Sequence, residues 1–224
     1  MKDLIERALD AAERAGASYA DVRLVERESE SLAVKNGALE EAEASQTAGF
    51  GVRVLRDGAW GFAASGLMEP DEAERVAREA SRIAAASATA TRQPVELDGT
   101  PPERGEYTTS VREDPFAVSL DEKVQLLLAA DAEMGAVPGV SIRESTLEWA
   151  RERKTFASSA GAMTSQELVE CGGGIEATAV NENESQVRSY PQNGGQHVTA
   201  GFESMRALDL VGNGRRVGEE AVAL

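Results

Sequence analysis

Apolar residues at positions 4, 5, 8, 9 and 12 (Leu4, Ile5, Ala8, Leu9, Ala12) recur at helical spacing over residues 2–15, opposite Glu6, Arg7, Asp10, Glu13 and Arg14. This pattern predicts an amphipathic helix, with Gly16 as a left-handed end. From Tyr19 the period falls to two: Ala20, Val22 and Leu24 alternate with Asp21 and Arg23. The half-buried strand so predicted continues through a polar ERESES run to Leu32 and Val34, and Asn36-Gly37 predicts a reversal. The following ALEEAEASQTA has the composition of a helix. Its place between two turn signals predicts instead a strand returning beside the last.

Residues 49–65, GFGVRVLRDGAWGFAAS, carry the strongest local signal. Two β-favouring runs flank Asp57-Gly58, a dipeptide that accepts the positive φ of a tight hairpin turn. Gly51 and Gly61 leave room for close backbone approach or a bulge. Arg53 lies on the alternate face, where packing or a surface pair is the simpler role and orienting a carboxylate the other. MEPDEAERVAREASRIAAAS then predicts a helix beginning near Pro70, with acids in its first turn and an inward face of Ala73, Val76, Ala77, Ala80, Ile83 and Ala84.

Periodicity disappears over residues 89–115, where Pro94, Pro101, Pro102 and Pro115 gather, and a surface connection is expected there. The implied organisation is a helix, strand, hairpin and helix unit at 1–90, a Pro-rich connection at 91–118 and a second unit at 119–224. In the second unit Ser119 and Glu122 form a capping box before a helix with Leu120, Val124, Leu127, Leu128 and Met134 inward. Strands are expected over 140–157 and from about Gln166, the latter with Val169, Cys171, Gly173, Ile175, Ala177 and Ala179 on one face and a bulge or bend at CGGG. NENES reads as a turn, QVRSY as a strand and PQNGGQ as a loop. A helical pattern over 203–224 is broken by Gly212, Gly214 and Gly218. The order of helix, strands and helix recurs in both halves, compatible with duplication or with ordinary alternation. Either way the fold class is α/β (α+β), a mixed, mainly antiparallel sheet with amphipathic helices packed on it.

Composition narrows the chemistry. The formal charge of −16, from 39 acidic and 23 basic residues, disfavours direct binding to nucleic acid or anionic lipid. Aromatic residues at 4% offer few stacking platforms for single strands. No run approaches membrane-spanning length, the start has no apolar leader, and a single cysteine fits a reducing compartment, so a cytoplasmic location is expected. His197 is the one histidine, which rules out a two-histidine metal site within this chain. Cys171 with His197 could form a thiol and base pair, but a buried inert thiol needs fewer assumptions. Neither CGGG nor QNGG has the context of a phosphate-binding loop. Acids at Glu26, Glu28 and Glu30 and at Glu40, Glu41 and Glu43 read as solvated strand faces, a cation site being the other reading. No catalytic residue and no metal ligand is assigned.

The stretch GASYADVRLVERESESLAVKNGALEEAEASQTAGFGVRVLRDGAWGFAAS between two helices, followed by SIRESTLEWARERKTFASSAGA and a glycine-rich loop before GFE, resembles the N-terminal half of the TldD/PmbA family. The resemblance covers nearly the whole chain and is carried by element order and by Gly51, Arg53, Asp57, Gly58 and Gly61. It implies a bacterial or archaeal cytoplasmic zinc metallopeptidase system that degrades or matures peptides, members of which are also described as modulators of DNA gyrase. In the TldD branch the zinc ligands lie on a His-Glu-x-x-x-His helix with a later cysteine. The PmbA branch lacks that motif and acts as a partner subunit. Here Val198 follows His197 and no His-Glu pair exists, so zinc is implied for the full-length family protein and not for this chain.

The resemblance therefore implies a non-catalytic portion that walls a substrate cleft and forms a subunit interface, in a homo-oligomer, a dimer by resemblance, or a TldD/PmbA-type hetero-oligomer. The alternative is a non-enzymatic PmbA-like partner or peptide-binding assembly module. An unstructured peptide could add to a sheet edge by main-chain hydrogen bonds. Gln192, Asn193, Gly194, Gly195 and Gln196 are the candidate substrate rim, against the plainer reading of a connecting loop. The ending GNGRRVGEEAVAL, falling within a helical pattern, is read as a truncation.

Overall fold

The computed structural model describes residues 1–182 and 184–223; Asn183, within the expected NENES turn, and the terminal Leu224 lie outside the described residues. The described strands form one eight-stranded sheet of order β3-β2-β1-β5-β6-β4, with β7 and β8 also paired to β6. It is mixed and mainly antiparallel, as expected. The chain divides into two compact units assembled from discontinuous stretches: 1–27, 46–108 and 152–167 in the first, and 28–45, 109–151 and 168–224 in the second.

In the first unit, helix α1 (Lys2–Arg14) buries Leu4, Ile5, Ala8, Ala11 and Ala12, and Gly16 follows with φ +86°. Strand β1 (Tyr19–Lys35) starts here with Val22 and Leu24 buried, and β2 (Ala38–Arg56) ends here against β3 (Ala59–Ser65). The β2–β3 turn has Asp57 at φ 52° and Gly58 at φ 75°, the paired left-handed conformation that Asp-Gly tolerates. Helix α2 (Pro70–Ala88) packs on β3 through Ala73, Val76, Ala77, Ala80 and Ala84. Its approach is set by Gly61, where an added Cβ would lie 2.0 Å from the Ala80 carbonyl oxygen. The Pro-rich connection contains a strand that the sequence did not announce, β4 (Arg104–Thr108), parallel to the start of β6. All five of its residues are exposed, so no alternation marked it.

Residues 38–48 of β2 are strand, as their position indicated, although all of them are exposed. Asn36 (φ 49°) and Gly37 (φ 80°) reverse the chain, and their geometry outweighs the helical composition that follows. Asn36 is itself anchored: its N–H donates to the Arg143 carbonyl at 3.1 Å, and its Oδ1 accepts from the Arg143 N–H at 3.0 Å.

The second unit centres on α3 (Leu120–Gly135), β5 (Val140–Ser158), β6 (Met163–Val180) and α5 (Leu210–Val222). Ser119 Oγ caps α3 by accepting from the Glu122 N–H at 3.2 Å. The inward face of α3 differs from the expected one. Leu127 and Met134 are buried, but Lys123, Ala130 and Asp131 join them, while Leu120 is exposed. Two polar groups are admitted because each has an interior counterpart: Lys123 Nζ lies 3.6 Å from the Trp149 ring centroid, and Asp131 accepts from Arg143 Nε at 3.0 Å.

The C-terminal helical segment breaks elsewhere than at its glycines. Helix α4 (Glu203–Leu208) ends at Asp209, which adopts φ 49° and then caps α5, its Oδ1 accepting from the Gly212 N–H at 3.1 Å. Gly214 and Gly218 lie inside α5 on the side facing α3, where a Cβ would come within 2.8 Å of the Ala130 carbonyl oxygen and 2.9 Å of Val137. They are spaces for close helix packing, and the helix runs through them.

Candidate functional site

Strand β6 turns its Cys171, Ile175 and Ala177 side chains into the core of the second unit, as the alternation predicted, and Val169 is buried as well. Two short strands pair with it antiparallel: β7 (Ser185–Tyr190), in register from Ile175 opposite Tyr190, and β8 (Gln196–Val198), from Gly173 opposite Gln196. The returning chain leaves the ladder at Tyr190 and rejoins at Gln196 while β6 advances only from Ile175 to Gly173. Residues 191–195 are therefore extruded, with a single 3-10 turn at Gln192–Gly194.

The CGGG run makes this extrusion possible. A Cβ on Gly174 would stand 2.4 Å from the Gly194 carbonyl oxygen, and one on Gly172 would meet the His197 ring at 2.1 Å. The expected bulge in β6 is thus a place where β6 stays in its ladder and the loop settles onto it. Gly194 N–H is held by Ser189 Oγ at 3.0 Å, and Asn193 takes φ 64°.

The loop borders a concavity of about 210 Å³ lined by Thr146, Glu148, Gly173, Asn193, Gly194, Gly195 and His197. Of the five rim residues proposed from sequence, Asn193, Gly194 and Gly195 line it, whereas Gln192 and Gln196 do not. Thr146, Glu148 and His197 were missed, because nothing in sequence ties β5 to a loop nearly fifty residues later. His197 Nε2 lies 3.2 Å from Glu148 Oε2, with both side chains more than half exposed. This exposed pair can offer one charge and one hydrogen-bonding ring at the mouth of the concavity.

Cys171 cannot work with His197. In the ladder His197 sits opposite Gly172, so it shares that residue's face, and the adjacent Cys171 points to the other. Burial pushes the Cys171 thiol up to about 12, with the Glu203 carboxylate adding to the effect. A thiol so placed is a poor nucleophile and a poor metal ligand. Among the described residues no group of three or more His, Cys, Asp or Glu side chains is arranged to hold a metal ion.

The hairpin residues singled out from sequence serve the first unit's framework. Arg53 holds the buried Asp21 carboxylate and lies over the Trp60 ring, its Cζ 4.5 Å from the centroid. A Cβ at Gly51 would meet the Phe62 ring at 2.8 Å. No described helix is long and apolar enough to cross a membrane.

Comparison with known proteins gives this arrangement a family. The sequence model of PmbA/TldA metallopeptidase domain 1 matches residues 20–84, and that of the PmbA/TldA metallopeptidase central domain matches residues 113–224. The chain belongs to the PmbA/TldD metallopeptidase family. A metalloprotease of Methanothermobacter thermautotrophicus is 29% identical over 208 residues, covering 92% of this chain and 43% of that protein. A metalloprotease of Methanocaldococcus jannaschii is 27% identical over 110 residues, 49% of this chain and 24% of that protein. The chain thus spans less than half the length of the curated relatives it matches. Among solved structures, a protein described as a modulator of DNA gyrase from Bacteroides thetaiotaomicron superposes with a TM-score of 0.77 at 16% identity, over 99% of this chain and 49% of that one. TldE from Thermococcus kodakarensis superposes with a TM-score of 0.66 at 15% identity, over 98% and 46%. At such identities these structures speak to the fold alone.

Proposed function

We propose that this chain is the substrate-cleft and subunit-interface portion of a TldD/PmbA-like zinc-dependent peptidase, bacterial or archaeal and cytoplasmic, that degrades or matures peptides, and that it is not catalytic by itself. The observation that carries the reading is the match of two successive domains of a metallopeptidase family to residues 20–84 and 113–224. The non-catalytic role is supported by the residues themselves: an exposed histidine paired with Glu148, and a cysteine buried on the opposite face. Zinc, in this reading, is supplied with its ligands by other parts of the assembly, whether a homodimer or a TldD/PmbA-type hetero-oligomer. The extruded loop at 192–196 would contact an extended peptide by main-chain groups, which suits recognition tolerant of sequence.

The second reading, a non-enzymatic PmbA-like partner or peptide-binding assembly module, draws on the fold shared with TldE. Metal analysis of the purified chain, paired with an assay on an unstructured peptide such as reduced casein fragments, tests the leading one. The expected result is no stoichiometric zinc and no cleavage. Stoichiometric zinc accompanied by hydrolysis that a chelator abolishes would refute it.

A further inference from the structure

A second cavity, of about 490 Å³, lies within the second unit between the first turn of α3, the preceding 116–119 segment, β1, β2 and β5. Its volume falls in the range of small-molecule sites. It shares no residue with the concavity under the 192–196 loop. Three features of its wall are unusual together. Lys123 lines it and is only 2% exposed, and among the described residues its ammonium has no carboxylate within ion-pair distance. The Trp149 ring face is close to it, with the ring centroid 3.6 Å from Nζ. Trp149 also lines the cavity through other atoms of its ring, its indole Nε1 being closed to a water-sized probe.

The Lys123 ammonium is met by a ring face rather than by an oxygen, which leaves its N–H donors open to an acceptor supplied from the cavity. The positive end of the α3 dipole adds to the preference for negative charge, since Ser119, Leu120 and Lys123 all belong to the cavity wall. Burial lowers the Lys123 pKa from its ordinary value, while the Glu30 carboxylate pulls it back up. Glu30 and Glu43 line the cavity too, and neither forms an ion pair among the described residues. A simple anion would meet their repulsion. A ligand with a cation at its other end would not.

We propose that this cavity binds a small zwitterion of the amino-acid or dipeptide class, its carboxylate held by Lys123 and its ammonium by Glu30 and Glu43. Leu32, Phe116 and Val118 supply an apolar wall for the body between the two charged ends. The site is argued from this cavity alone and stands or falls separately from the peptidase reading.

The test is titration of the chain with glycyl-L-leucine, followed by calorimetry and by Trp149 emission in a Trp60→Phe background. Saturable binding near millimolar Kd is expected, with roughly tenfold or greater loss for glycyl-L-leucinamide, which lacks the carboxylate. N-acetyl-glycyl-L-leucine, which lacks the ammonium, should also bind more weakly. Lys123→Met, an unbranched replacement that keeps the stem, should lose binding by a similar factor while retaining the far-UV circular dichroism of the parent. Absence of saturable binding at about 10 mM dipeptide, some ten times the expected Kd, would overturn the proposal. Equal binding of the acid and the amide by the parent chain would overturn it too, whatever the variant does.

Discussion

Arg53 holds the carboxylate of Asp21 from the neighbouring strand, its Nε and Nη2 both donating to Oδ2, at 2.9 and 2.6 Å. The Asp21 side chain is 3% exposed and that of Arg53 41% exposed, so the acid is interior and the guanidinium reaches to it from the surface over Trp60. Charge alternation in β1 and in the hairpin thus has a partner on the adjacent strand.

Removing Arg53 leaves a buried carboxylate without its donor, which is more costly than losing an exposed ion pair. Arg53→Met is expected to destabilise the chain by about 2 kcal/mol, the partial exposure of the guanidinium moderating the loss. Urea unfolding of Arg53→Met, Asp21→Asn and the double variant measures the coupling. Additive effects would show that the contact contributes little.

Gly61→Ala places a methyl against the α2 backbone, with Ala80 O at 2.0 Å and Ala84 N at 2.4 Å. A helix cannot yield as a side-chain tip can, so a loss of at least about 1–3 kcal/mol is expected. Thermal unfolding checks it. Gly105→Ala is the control, because nothing lies within 4 Å of a Cβ there.

Much of this framework was legible because it rests on local signals. Asp57-Gly58 forced a hairpin, Pro70 opened a helix, and the two-residue alternation from Tyr19 to Val34 and from Val169 to Ala177 assigned the apolar faces correctly, while Asp21, expected on the polar face of β1, is buried because Arg53 reaches it. What escaped reading depended on contacts distant in sequence. Strand β4 is exposed throughout and owes its existence to pairing with β6. Lys123 and Asp131 turned inward against any hydropathy rule because Trp149 and Arg143 meet them there. Gly214 and Gly218 looked like helix breakers until α3 was seen to pack against them. At the candidate site, the loop itself was visible in QNGG, while Thr146, Glu148 and the role of His197 required the register of β8 on β6.

Cys171 should be inert in the folded chain. Its thiol is raised from an ordinary 9.0 to about 12 by burial, so the thiolate is scarce at pH 8 and access is blocked as well. Because the folded value is the higher, the stability linked to this group is fully present below about pH 9 and is lost as pH climbs through about 12. A disulfide reagent at pH 8 is expected to label no thiol in the native protein and one in urea. Rapid native labelling would contradict the buried placement.

Gly174→Ala separates the loop from the fold. Its Cβ would stand 2.4 Å from Gly194 O and 2.7 Å from Gly195 Cα, so the loop must lift while β6 keeps its ladder with β7. The expected outcome is faster hydrogen exchange and proteolysis at residues 192–196 with a loss of stability of about 1–3 kcal/mol or less. Unchanged loop protection would mean that the glycine run serves another purpose.

The central claim is that this chain receives a peptide without cutting it, and hydrogen exchange of the chain with and without an excess of an unstructured peptide tests it most directly. The account predicts slowed exchange at the amides of Asn193, Gly194, Gly195 and His197, with the peptide recovered intact. Exchange unchanged at those amides, or recovery of cleaved peptide, would contradict it.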